Sequence, residues 1–393
     1  MVTNPIKISD KDIKFSESAE HVGVLRSTNG NQATILARIT EHKRALGAVL
    51  HTGMARGHRG NPAASLGIEQ LYGLPVLLSG LSTLFLLKSE ESAVEQHHKE
   101  TISNLQRLHP GTPSPVVCFL AGTLPGSAHL HLRQLSIFSM ITRLTSNFLQ
   151  RYALNLFQSG NVPPKSWFHQ ILNLCEKYNL PTPLQLLQNP MPKLQLKALV
   201  KRKVVNFWET TLRLEAAPLP SLEYFKPDFM SLCRPHPIWT TCGSSPSKIV
   251  MATVQAQMLS GRYRTESLCS HWRSHSTGVC LLSPDCSSTK EDLNHILRDC
   301  VALNPTREKL VDFTNKYCTQ LNPVLSKLIK DHVNNANSLY CQYLIDCSTI
   351  PAVIRTSLAL GPEVLHHMFT VTRTWIYTIH KERLRRLGRW NYV

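Results

Sequence analysis

Residues 193–214, KLQLKALVKRKVVNFWETTLRL, decide the fold class. Val200, Val204, Phe207, Trp208 and Thr211 recur at three- and four-residue steps, which places them on one face of an α-helix. Lys197, Lys201, Arg202 and Lys203 crowd beside that face. The same period runs upstream, where Ile35, Ile39, His42, Leu46, Val49 and Leu50 form a stripe that largely excludes Arg38, Lys43 and Arg44. A polar helix is predicted over Glu90 to Leu108, stopped by Pro110-Gly111. From His131, Leu132, Leu135, Phe138, Ile141 and Leu144 again keep near-helical spacing. Strand-like sequence is confined to residues 13 to 25, where Ile13 and Phe15 alternate with polar residues and HVGVL follows. The expectation is a mainly α protein with a short N-terminal β remnant.

Proline and glycine set the boundaries. The 24 prolines require many helices broken at Pro-marked ends. Asn61-Pro62 restarts a helix after the loose Gly53, Gly57 and Gly60, and Gly122, Pro125-Gly126, Pro163-Pro164 and Pro181 to Pro192 interrupt the body. The organisation expected is a β remnant at 1–30, a helical body at 31–215, a Pro-rich linker at 216–248, a Cys/His module at 249–310 and a C-terminal helical segment at 311–393.

With 42% hydrophobic and 18% charged residues the chain is globular, not disordered. The balance of 43 Lys+Arg against 26 Asp+Glu gives +17, which points to a polyanionic partner, nucleic acid first. Three windows concentrate the charge: residues 21–62 with Arg56 and Arg59, residues 193–214 with Lys201, Arg202 and Lys203, and residues 373–393. Each is either part of a phosphate-binding track or a solvated helix face. Eleven cysteines follow an N-terminus, MVTNPIKISDKDIKF, that has no apolar signal-peptide core, so reduced thiols and an intracellular site, nucleus or cytoplasm, are expected. The apolar run from Leu74 to Leu87 falls short of the roughly 20 residues a membrane span needs, and carries Pro75 and Gly80. A buried core segment is expected there, and no membrane partner.

The chemistry concentrates in Cys280-x5-Cys286-x8-His295-x4-Cys300. Three thiolates and one imidazole make a closed tetrahedral structural zinc site, although the first spacer is wider than the usual two to four. Cys269 and His271 are alternatives for the first ligand; buried free thiols are the alternative for the whole cluster. Around it, Arg262, Tyr263, Arg264, Trp272 and Arg273 interleave cations with aromatics, a pattern that stacks bases and neutralises phosphates. Tyr263 and Trp272 fit equally as packing beneath the metal loop. His129-x-His131 is a weaker metal signal. There is no Gly-rich phosphate loop, no GxSxG and no HExxH, and no Asp-Asp pair follows an apolar strand. No catalytic residue is assigned.

Four stretches, FSESAEHVGVLR (15–26), HKRALGAVLHTGMARGHRGNPAASL (42–66), LPGSAHLHLRQLSIF (124–138) and QMLSGRYRTESLCSHW (257–272), resemble the C-terminal third of non-LTR, LINE-type retrotransposon polyproteins. The resemblance covers nearly the whole chain. It implies that residues 1–30 correspond to the primer-grip end of a polymerase palm, and 31–215 to thumb and linker helices. The Cys-rich end would then be a CCHC-like knuckle, with LNHILRDC followed by Arg307 its best-matching part. The family's Tyr/Phe-x-Asp-Asp motif does not occur in this sequence. The implied role is therefore non-catalytic: binding RNA and DNA template-primer in support of target-primed reverse transcription. The rival expectation is a host-domesticated or degenerate helical interaction protein with no polymerase role.

Overall fold

The computed structural model describes residues 7–8, 11–12, 18–21, 24–27, 30–51, 60–144, 147–274, 276–321, 339–349 and 362–389. The chain is mainly helical and divides into two compact units, each assembled from separated segments. One unit takes residues 1–51, 68–98 and 125–207, and the other takes 52–67, 99–124 and 208–393.

In the first unit, strands Ser18–His21 and Val24–Ser27 form an antiparallel hairpin, with Ser18 opposite Ser27 and His21 opposite Val24. A shorter pair, Lys7–Ile8 and Lys11–Asp12, precedes it. The hairpin leads into helix Gln32–His51, and the Thr34 hydroxyl donates to the Leu25 carbonyl. Ile35, His42 and Leu46 are buried on that helix, as its period requires. The core gathers Ile35, Leu74, Leu77, Leu78, Leu81, Leu86, Val94 and Leu130. Five of these lie in the Leu74 to Leu87 run, which is core but not one helix. Helix Leu74–Leu77 ends before the left-handed Gly80, and a single 3₁₀ turn, Leu81–Thr83, follows. Among the described residues no helix is long and apolar enough to cross a membrane.

Two boundaries differ from the expectation. Helix Gly126–Ile141 begins well before His131, because Pro125 occupies the N-cap in an extended conformation and the helix starts directly after it. The Pro181 to Pro192 region contains a helix, Pro183–Gln188, closed by a capping box between Thr182 and Gln185. Thr-Pro-Leu-Gln carries that signature, with Pro at the first helical position. Helix Lys193–Ala216 forms as its sequence requires, burying Leu196, Val200 and Val204.

In the second unit, residues 216–248 hold only short turns and the four-residue helix Pro237–Thr240 before helix Pro246–Leu259 begins, and they are packed, not a free linker. Leu222, Phe225, Ile238 and Trp239 are buried, and Trp239 Nε1 donates to Gln106 Oε1 at 2.9 Å. His236 N–H donates to the Leu120 carbonyl at 3.0 Å. That close approach depends on Gly122, whose φ is +64°; a Cβ there would lie 2.0 Å from the Arg234 carbonyl carbon. Helix Pro246–Leu259 and helix Leu339–Ile345 pack on the long C-terminal helix Pro362–Arg386. Phe369, Trp375, Ile376 and Ile379 supply its buried side.

Candidate metal centre

The candidate centre grows out of a short hairpin. Val279 bridges Lys290, Cys280 N–H donates to Thr289 O at 2.9 Å, and Glu291 N–H donates to Gly278 O at 3.0 Å. Within the loop, the 3₁₀ turn Pro284–Cys286 shortens the path, capped by Ser283, whose Oγ accepts from Asp285 N–H at 3.3 Å. Thr289 N–H then donates to Cys286 O at 2.8 Å. This extra turn absorbs the wide five-residue spacer and still brings Cys280 and Cys286 together.

The second pair sits on a π-helical turn, His295–Asp299, in which Cys300 N–H donates to His295 O at 2.7 Å. An i to i+5 bond places residues five apart side by side, and π turns of this kind favour functional sites. Asp292 starts the turn, its Oδ1 accepting from His295 N–H at 2.9 Å. Buried Arg307, from helix Asn304–Leu321, donates to the carbonyls of Ile296 and Cys300 and so anchors the far side.

All four side chains are buried, and their ligand atoms lie within 4.8 Å of one another, so the group can hold a metal ion. Cys280 Sγ and Cys300 Sγ are 3.8 Å apart. Sulfurs at two corners of a tetrahedron around zinc, each about 2.3 Å from it, would be about 3.8 Å apart. Neither ring nitrogen of His295 has a hydrogen-bond partner. A buried imidazole left in that state costs about 1–3 kcal/mol, which a coordinate bond would remove.

Electrostatics lead the same way. Burial raises the Cys280 thiol, and Cys300 is pushed up to about 12, by burial first and then by the facing Cys280. Burial pushes His295 down, against the opposing pull of Glu291, Asp299 and Asp292. Without a cation Cys280 and Cys300 are therefore held as thiols and His295 as a neutral imidazole; a dication reverses the cost of the thiolates. Three thiolates and Zn²⁺ would leave a single negative charge, which Arg307 is placed to offset. Four protein ligands fill a tetrahedron, so the chemistry of this donor set is structural. The alternative first ligands separate from the group: His271 is exposed, and Cys269 is buried outside it. His131 is engaged elsewhere, with Tyr178 Oη at 2.6 Å and Glu91 Oε1 at 3.0 Å.

The expected nucleic-acid residues lie partly in the first unit, partly in the second, and partly outside the described residues. Arg56 and Arg59 lie outside the described residues. Lys201 and Arg202 are exposed and Lys203 is half-exposed on helix Lys193–Ala216. Arg264 is exposed, Arg273 half-exposed, and Trp272 is 55% exposed. Arg262 is half-buried and donates to the Gly111 carbonyl at 2.6 Å. Tyr263 corrects the expectation: it is buried, its hydroxyl meets His380 Nδ1 at 2.8 Å, and Arg383 lies over its ring. No base can stack on a face already covered.

The basic window at 373–393 is divided: Arg373 and Arg383 are buried, whereas Lys381, Arg385 and Arg386 are exposed. Arg373 is buried and donates to Ile238 O at 3.2 Å, Arg383 pairs with the fully buried Glu291, and Arg389 pairs with Glu266 at 3.0 Å. Arg385 and Arg386 both bind Glu382. Trp390 and Tyr392 lie outside the described residues. The Arg383–Glu291 and Arg389–Glu266 pairs tie the C-terminal helix to the Cys/His module, a role that charge counting does not reveal. Arg307 had only its place after LNHILRDC to mark it. No family model, curated protein or solved structure matches this chain.

Proposed function

We propose that this chain is a non-catalytic nucleic-acid-binding protein organised around a structural zinc ion held by Cys280, Cys286, His295 and Cys300. We assign it the role of the C-terminal region of a non-LTR retrotransposon reverse transcriptase, holding RNA and DNA template-primer. The observation that carries the zinc is the convergence of four buried ligand atoms on a histidine with both nitrogens unpartnered. Three Cys and one His favour zinc over harder cations, and zinc's tetrahedral preference fits the sulfur separation. Support for the polyanion comes from the +17 balance and from exposed cations outside the internal ion pairs, Lys201, Arg202 and Arg264 among them. Trp272 offers a ring for an unpaired base. When bound, zinc would supply no reaction chemistry here; it would fix the hairpin and the π turn that present Arg264 and Trp272 on the adjoining segment.

The test joins metal content to salt dependence. The purified chain should contain one zinc and bind single-stranded RNA with log affinity falling about 0.7 per phosphate contacted against log salt. A metal-free, fully folded chain with salt-independent or absent RNA binding would instead favour a helical interaction protein.

A further inference from the structure

In the first unit, helix Phe148–Gln158 leaves most of its apolar side chains uncovered. Ala153 is its one buried residue, while Phe148 is 77% exposed and Tyr152 48%. Phe148 and Tyr152 lie four positions apart and so share a face, and their rings stack at 6.3 Å with 21° between the planes. The row continues inward. Phe168, from helix Trp167–Lys177, meets Tyr152 at 6.0 Å and Phe157 at 5.9 Å, and Phe157 meets the buried Phe138 at 6.1 Å. Trp167, 5.3 Å from Phe168, is pinned by its Nε1, which donates to the Ser82 carbonyl at 2.8 Å. The inner end of the row is thus held by the core and its outer ring is open. A row anchored in this way has little freedom left to lose when a partner lands on it.

The charge around the row selects the partner. Residues 126–175 contain Arg133, Arg143, Arg151 and Lys165 and no Asp or Glu. Arg151 adjoins Tyr152 and is exposed, and Lys165 is exposed three positions before Phe168. A second copy of this face would bring like charges together, so the occupant carries negative charge. Near-parallel rings beside cations suit planar bases joined by phosphates: each base has a face to stack, and the cations meet the backbone. An acidic protein helix would cover the same area without using the parallel planes. We propose that Phe148 and Tyr152 form a base-stacking platform for single-stranded nucleic acid. The platform rests on the function proposed above for its class of partner, but it is a site separate from Lys201, Arg264 and Trp272.

The experiment uses the full, zinc-loaded chain at fixed salt and fluorescence anisotropy with two labelled probes, a short oligouridine and an abasic strand of equal length. The variant is Phe148→Leu/Tyr152→Leu, which keeps apolar area and removes both ring faces. The control is Tyr72→Leu, an exposed aromatic of the same unit. Oligouridine affinity should fall about tenfold in the double variant alone, with the abasic strand bound as by the wild type. Oligouridine affinity unchanged in the double variant overturns the platform and leaves the nucleic-acid reading standing. No binding of either strand by the wild type overturns both. An equal loss on both strands, or in the control, also overturns the platform, because stacking needs a base and these particular rings. Sedimentation supplies the last arm: a wild-type dimer that the double variant makes monomeric, with oligouridine affinity unchanged, assigns the face to a second copy instead.

Discussion

His295 and His42 are both buried imidazoles with metal-ligand types around them, and they differ in what their nitrogens do. His42 Nδ1 meets His97 Nε2 at 2.8 Å and its Nε2 meets Glu69 Oε2 at 2.9 Å, so the ring is fully engaged. Neither nitrogen of His295 has a partner. The His42 contact is also enforced by the backbone: a Cβ on Gly73 would lie 2.0 Å from Glu69 Oε2 and 2.8 Å from His42 Nε2. That first-unit cluster is thus a hydrogen-bond network, whereas the Cys/His group brings four ligand atoms within 4.8 Å of one another around an unpartnered imidazole. Residue types alone do not separate the two; satisfaction of the donors and acceptors does.

The sharpest way to break that contrast is metal removal. Structural zinc supplies about 10–16 kcal/mol of apparent binding energy in small modules. Chelation, or Cys300→Ser, should take the zinc content from one to zero and expose amides over residues 263–310 in hydrogen exchange. Through Arg383 with Glu291 and Arg389 with Glu266, the loss should spread into the last turns of helix Pro362–Arg386. Helix Gln32–His51 should keep its protection. One zinc retained in Cys300→Ser would remove the ligand assignment.

The converse test strikes the first-unit cluster. Glu69→Ala strips the partner from His42 Nε2 inside a fully buried site, and breaking such a pair costs about 3–5 kcal/mol. The unfolding free energy from a urea titration should fall by that amount while zinc stays at one per chain. If zinc content fell too, the His42 cluster would itself be a metal site and the contrast would collapse.

A third, smaller effect comes from pH. Burial, reinforced by Arg383, lowers His380 to about 4, below the roughly 6.5 of an unfolded histidine. Between those values the unfolded chain binds a proton that the native chain refuses. The stability this residue contributes is complete above about pH 6.5 and is lost as pH falls toward 4, up to about 3 kcal/mol. His380→Gln, which retains a partner for the Tyr263 hydroxyl, should give a shallower loss of stability on acidification than the wild type. Equal slopes would mean His380 titrates normally. Buried His98, pushed well below its ordinary value by burial and by His129, His42 and His97, should add an acid sensitivity of the same sign in the first unit.

Much of this was legible from the residues. Apolar period placed Ile35, Leu46, Val200 and Val204 in the core, and ligand type picked out Cys280, Cys286, His295 and Cys300. Spacing was less informative, because a 3₁₀ turn at Pro284–Cys286 and a π turn at His295–Asp299 both depart from the geometry that spacing rules assume. Charge was least informative. Residues 373–393 count six Lys+Arg to one Glu, yet Arg373 and Arg383 are buried and bonded to groups more than 90 positions away in the chain. A window composition cannot register a partner that only the fold brings near.

That last point separates two basic windows and yields the smallest expected effect. On helix Lys193–Ala216, Lys201 and Arg202 are exposed and Lys203 half-exposed, so replacing all three by Gln should change stability by no more than about 0.5 kcal/mol. On the C-terminal helix, Arg383→Gln leaves Glu291 buried without its cation and should cost several kcal/mol, about 3–5 for a pair of that kind. Nucleic-acid binding should order them oppositely. If each of the three cations meets one phosphate, the triple variant flattens the log-affinity against log-salt slope on single-stranded RNA by roughly two units. A mild Arg383→Lys variant that still folds should leave that slope unchanged, because Arg383 is sealed inside the protein. A slope identical in wild type and triple variant would make Lys201, Arg202 and Lys203 a solvated face. A slope altered by Arg383→Lys would show that the Glu291 pair opens when RNA binds.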